Sequence, residues 1–422
     1  MGINPISSTP AAVPATAAQE FRQSWRLVLL ATIAAFFSGL PWVTFGIFIS
    51  PLSQAFGWSL AAITVWAFFF QGGSMAANLV AGYLADRVGV RVVGLVAIPF
   101  LALALFGASE IRGSVGSLYV AAFAVGCVGT SVALLIYGRA VNGWFAIARG
   151  RAFAVMAAGI GFSYIFGPRL VQAVADGFGW RNGFRFMAAI GLLAWPLAYF
   201  WLRERRDAGG RAARQTEGGH SLRHSIRLPT FWLLAAAYLL MGLSNGTNLH
   251  LMPFLTEGGM SRAAAATLIG ISGLTSLFAR LVSGWMVDRV HAALFCGFAV
   301  LLQAGAFLLL GLWHQHFALA AILMWGFALG TEIVCLGYCI ARYFGLAAYG
   351  RVIALINVFW GVGVGCGPPM FGWLREAFGS YRTSFLIAAV LALASALLLA
   401  LISRYPFQDL PEAPIAAGKG GP

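Results

Sequence analysis

The sequence predicts an all-α membrane protein of twelve transmembrane helices in two six-helix halves, with both termini cytoplasmic. Three observations predict it. The 422 residues are 60% hydrophobic and only 9% charged, with mean hydropathy +0.84, which leaves too little polar surface to cover a soluble globule. Twelve segments each supply the roughly 20 apolar residues that a bilayer core demands. The second six segments repeat the first.

The segments fall at 26–50, 60–84, 92–109, 117–143, 152–175, 184–202, 230–254, 263–286, 292–312, 316–341, 352–374 and 383–403. Residues 1–25, Ala-, Pro- and Ser-rich at their start, read as a disordered tail, without the basic start and apolar run of a cleaved signal peptide. A second tail follows at 405–422. The domains are therefore expected at 26–202 and 230–404, joined by a polar linker at 203–229. Arginine sets the orientation. The side holding both termini and the linker carries 18 basic residues and the opposite side 6, so that side is cytoplasmic. The net charge of +14 follows from this topology, and nucleic-acid binding is not expected. A linker contact with acidic lipid is the sharper alternative to plain solvation.

The repeat keeps its register. GYLADRV at 82–88 returns as GWMVDRV at 284–290, an offset of 202 that also relates Pro51 to Pro253 and Ser59 to Ser261. At an offset of 200, Gly167-Pro168 returns as Gly367-Pro368 and Phe178-Gly179 as Phe378-Gly379. Six spans per copy give both copies the same topology, so an axis along the membrane normal relates them, and the cavity lies between the halves near the midplane. That is a transporter's plan.

GYLADRVGVR at 82–91 resembles the loop motif of the major facilitator superfamily, over essentially all of 26–404. Gly82 and Gly89 permit close approach and a tight turn, Asp86 can accept from a neighbouring helix N-terminus, and Arg87 and Arg91 stay in water. The resemblance implies a gating latch there, with Gly284, Asp288 and Arg289 as its weaker second copy. GIFISPLSQAFGWS at 46–59, NGWFAIARGRAFAVMAAG at 142–159 and ARYFGLAAYGR at 341–351 resemble the bacterial monocarboxylate-transporter-like branch, which includes oxalate/formate-exchanger relatives. So does the arginine of ARLVSGWMVDR, which matches the branch's substrate arginine. The acid that this branch commonly places four residues earlier is here Ser276.

Arg280 stands about 12 Å of helix before Asp288. A bilayer-centre arginine costs about 2.5–3.5 kcal/mol even on mild scales, so it is expected to face a wet cavity and take a carboxylate bidentately. A structural ion pair and snorkelling are the alternatives. Glu332 is the one acid deep in a span and, ionised alone, would be very costly. It reads either as a proton-coupling group or as a partner for Arg280 or Arg139. His250, in NGTNLHLMPF, is either a satisfied hydrogen-bonding group or a pocket residue that titrates with substrate. Tyr137, Tyr338 and Asn357 are candidate pocket residues or helix–helix glue. Arg169 is expected at an outer vestibule or paired with Asp176.

The expected function is proton-coupled uptake of an organic monocarboxylate across a bacterial inner membrane, by a monomer without cofactor or metal. An organic-anion exchanger and a drug or metabolite exporter are alternatives within the superfamily, and a non-transporting sensor lies outside it. No HExxH, Walker loop or Ser/Lys arrangement suggests an enzyme.

Overall fold

The computed structural model describes residues 16–402 except 146–147, 203–219, 288 and 346–347. Its first half contains α1 (Ala17–Phe56), α2 (Leu60–Thr64), α3 (Trp66–Val88), α4 (Val90–Ser109), α5 (Val115–Gly126), α6 (Thr130–Trp144), α7 (Arg149–Phe178), α8 (Trp180–Leu192) and α9 (Ala194–Trp201). After α10 (Leu222–Ser225) come α11 (Pro229–Asn245), α12 (Leu251–Glu257), α13 (Arg262–Met286), α14 (Ala292–Trp313), α15 (Ala318–Phe344), α16 (Tyr349–Phe378) and α17 (Tyr381–Ala400). There is no β-strand among the described residues. Nine helical stretches among them are long and apolar enough to cross a membrane. One of these, Ala292–Phe344, runs to 53 residues and consists of α14 and α15, which turn at His314 (φ 52°) and pack against each other.

The apolar segments are helical where the hydropathy places them, and the structure adds interruptions. A one-residue break at Val65 divides α2 from α3. A 3-10 turn over Gly246–His250 separates α11 from α12. Pro229 opens α11 at the first helical position, where its missing N–H leaves no bond unmade.

The tail expectation overran at its inner edge. α1 begins at Ala17, capped by the Thr16 side chain. Glu20, 3% exposed, accepts a hydrogen bond from the Ala148 N–H at 2.8 Å, and Phe21 meets Phe145 edge-on. Those partners lie far along the chain, so the composition of residues 17–25 does not reveal them. Within the expected linker, Leu222–Ser225 form α10. Arg203, Arg205, Arg206, Arg211 and Arg214 lie outside the described residues, as does the tail from 405.

The repeat recurs in the backbone. Ser59 caps α2 by accepting from Ala62 N–H, and Ser261 caps α13 by accepting from Ala264 N–H. Gly57 and Gly259 both hold positive φ, as do Gly179 and Gly379. Pro168 and Pro368 both lie inside long helices.

Packing distinguishes the two ends of the molecule. One apolar core draws on both halves, from Phe45, Trp66 and Phe184 to Leu249, Trp325 and Phe371. At the end holding Leu202 and Leu222 each half has its own, one around Ile136 and Phe145 and the other around Tyr238 and Phe344. Two antiparallel seams join the halves. Along α7 and α13, Asp176 meets Arg262 at 3.0 Å, Thr267 accepts from Arg169 at 2.6 Å, and Arg280 donates to the Ala157 carbonyl at 3.1 Å. A Cβ on Gly273 would sit 2.8 Å from the Tyr164 side chain, so the close approach requires glycine. Along α3 with α2 and α16, the Ala61 N–H donates to Glu376 at 3.1 Å, and Gly361 lies against Met75. On the same face of α16, Asn357 is exposed.

Candidate functional site

α13 carries Arg280 to the seam with α7. The residue is half-buried, and its Nη1 spans to the other half to reach the Ala157 carbonyl at 3.1 Å. Its Nε is buried without a hydrogen-bond partner. Among the described residues no carboxylate lies within ion-pair distance of it. The guanidinium therefore has N–H groups to offer at the boundary between halves, in the fork geometry that matches a carboxylate.

Tyr164 of α7 stands beside it. Its hydroxyl lies next to the side chains of Trp42 and Asn248, within electrostatic range of both Arg280 and Glu332. Sequence reasoning missed Tyr164, because one tyrosine in an apolar helix carries no pattern. The structure identifies it by bringing α1, α7, the 3-10 turn and α13 together.

Glu332, on α15, is 3% exposed. Its carboxylate accepts from Asn245 Nδ2 at 3.2 and 3.4 Å. The Tyr238 hydroxyl donates to its backbone carbonyl at 2.9 Å, tying α11 to α15. Pairing with Arg280 or Arg139 is not realised in this conformation: among the described residues no basic side chain lies within ion-pair distance of Glu332. Arg139 instead donates to the Gly82 carbonyl at 3.4 Å.

The remaining candidates divide. His250 is 1% exposed, with Nε2 2.8 Å from the Pro368 carbonyl and its ring against Tyr381. It is thus held within the C-terminal half and is not joined to Arg280. Tyr137 faces an apolar cavity of about 30 Å³ inside the N-terminal half, between Ala34, Ala97 and Leu101, and its hydroxyl has no partner. Tyr338 accepts from Arg342 Nε and Nη2 at 3.2 and 3.0 Å. Arg169 bonds Thr267, and Asp176 is taken by Arg262.

Of the gating residues, Gly82 supplies the carbonyl that Arg139 reaches. Gly89, at φ 91°, makes the tight turn into α4 that non-glycine residues resist. Arg87 lies over the Tyr83 ring at 4.5 Å, and Arg91 donates to the Tyr199 carbonyl at 3.0 Å, fastening α4 to α9. Arg289 turns back to the Trp285 carbonyl. Asp288 and the Asp86 side chain lie outside what is described.

A family model, Major Facilitator Superfamily, matches residues 31–360. Monocarboxylate transporter 13 of Rattus norvegicus is 25% identical over 340 residues, 77% of this chain and 75% of its own. Monocarboxylate transporter 11 of Homo sapiens is 24% identical, covering 75% of this chain and 70% of its own. A probable nitrate/nitrite antiporter, NarK1 of Thermus thermophilus, is 25% identical over 90% of this chain and 91% of its own. Among solved structures, a bacterial homologue of the lysosomal transporter Spinster, inward-facing and occupied, superposes with TM-score 0.68 at 14% identity, over 90% of this chain and 96% of that one. The nucleoside transporter NupG gives 0.67 at 16% identity, over 89% and 98%.

Proposed function

The chain belongs to the major facilitator superfamily, and from that premise we propose that it carries an organic monocarboxylate together with a proton, by rocking of two six-helix halves. The halves are 26–202 and 230–404, with twelve spans. α5 with α6 makes one span, α11 with α12 another, and α14 and α15 one each. The arginine bias puts the termini in the cytoplasm. The end with two separate cores is then cytoplasmic, and this conformation faces inward.

The observation that carries the reading is Arg280: a guanidinium at the boundary of the halves that donates to the Ala157 carbonyl and, among the described residues, has no carboxylate beside it. An anion there gains a charge-assisted bond of about 1.5–3 kcal/mol. One central cation suits one carboxylate. The monocarboxylate transporters among the relatives support that class. Glu332 is the coupling group. A buried carboxylate without a countercharge costs several kcal/mol, so it loads as the neutral acid and releases its proton when water reaches it. Arg280 also donates across the α7–α13 seam, so an anion that draws it from Ala157 loosens the contact that must part during exchange. His250 serves the C-terminal half's packing in this scheme and Asn357 lines the inward opening.

Uptake of labelled monocarboxylates into proteoliposomes under an imposed proton gradient tests the reading. Transport by an Arg280→Lys variant with unchanged affinity would overturn it. The full-length match to the nitrate/nitrite antiporter favours a second reading, an inorganic monovalent anion at the same arginine. Competition between nitrate and a monocarboxylate separates the two.

A further inference from the structure

Around Glu332 the hydrogen bonds have a fixed polarity. Trp325 Nε1 can only donate, so the Asn245 atom it meets at 3.0 Å is the oxygen. Gln303 Nε2 also approaches that oxygen, at 3.3 Å, and donates to Ser244 Oγ at 2.9 Å. Ser244 gives its own proton to the Met241 carbonyl, so it must accept from Gln303. With Asn245 Oδ1 filled by two donors, Nδ2 has one direction left, toward Glu332. Trp325, Asn245, Gln303 and Glu332 are each 6% exposed or less.

We propose that Asn245 is a positioning residue, aimed by Trp325, that makes Glu332 respond to protons and not to sodium. The inference rests on the reading of Glu332 as the coupling group. A neutral carboxyl keeps its carbonyl for the amide, and an ionised one gains a charge-assisted bond, so both states fit one geometry. An alkali cation needs a shell of oxygens, as hard cations do; at this carboxylate it meets an amide N–H instead. Among the described residues, the titratable groups in electrostatic contact with Glu332 are Tyr238 on α11, Cys335 on α15 and Tyr164 on α7, with Cys296 and Cys339 beyond Tyr238 and Arg280 beyond Tyr164. No cation lies within ion-pair distance of the carboxylate among them.

The test follows the Glu332 carboxyl stretch by infrared difference spectroscopy on the purified full-length protein, with the band assigned by its loss in Glu332→Gln. Asn245→Leu removes the donor, and its midpoint should rise by about one to two pH units. Trp325→Phe keeps Asn245 but frees it to turn, giving a smaller shift the same way, and it decides the matter if the leucine variant does not fold. Sodium at fixed pH should leave the wild-type band unchanged. Unmoved midpoints in both variants overturn the positioning role, and a band bleached by sodium overturns the selectivity. If the midpoints move while Glu332→Gln leaves the pH profile of transport intact, the clamp stands and the coupling reading falls.

Discussion

At the 202-residue offset, Gln303 of the C-terminal half aligns with Leu101, Asn245 with Val43 and Arg280 with Asn78. Leu101 lines the apolar cavity that Tyr137, whose hydroxyl has no partner, also lines, while Gln303 belongs to a chain of bonds running to Glu332. The two halves thus kept the same caps, turns and prolines but not the same interior. Backbone geometry is what two bundles crossing the same thickness must share. Under the proposed rocking mechanism the chemistry need sit on one side only, with the other half supplying a wall and, through Ala157 and Tyr164, the rest of the boundary.

Removing the charge is the largest way to break that contrast. Arg280→Ala should lower kcat/KM by about 100-fold or more, from the loss of about 3 kcal/mol at a charged double contact; radiolabelled uptake at several concentrations measures it. Glu332→Gln comes next. Gradient-driven accumulation should fall to about a tenth or less, as expected for a lost proton-transfer group, while substrate exchange persists, since the variant mimics the neutral acid. Gln303→Leu imposes the N-terminal residue on the other half. The change gives up the Nε2 bonds to Ser244 and Asn245 but also removes a buried Oε1 without a partner. The two largely offset, so thermal stability should change by less than about 1 kcal/mol, while the pH profile should move because Asn245 loses one of the donors on its oxygen.

The apolar cavity of the other half should be indifferent. Tyr137→Phe deletes a hydroxyl without a hydrogen bond, and melting in detergent should be unchanged or raised by an amount worth at most about 1 kcal/mol. Smallest of all is the exposed pair at the far end. The hydrogen bond from Arg185 holds the Glu110 carboxyl below its ordinary value of 4.5. A depressed folded-state value means the contribution is present above pH 4.5 and fades as pH falls below it. Melting curves of Glu110→Gln and the native protein should therefore converge on acidification and differ slightly at neutral pH.

Arg280 and Glu332 were legible because a charge in an apolar run violates the pattern around it. The repeat was legible for the same reason, since Gly, Pro, Ser and Asp recur at fixed spacing against a uniform background. Neutral polar residues give no such contrast. Asn245, Gln303 and Trp325 lie on three helices, and only packing turns them into a chain. His250 shows the converse: a titratable group conspicuous in sequence, yet spent on the Pro368 carbonyl within its own half. The helical start at residue 17 escaped because its anchors lie beyond residue 140.

That anchor imposes an order on biosynthesis. Glu20 emerges from the ribosome 128 residues ahead of Ala148. At roughly 5–20 residues per second, the carboxylate has no Ala148 N–H to accept from for on the order of ten seconds. Through that interval the contact cannot form, and it becomes available only as α7 begins to form. The start of α1 is thus fixed to its own half late.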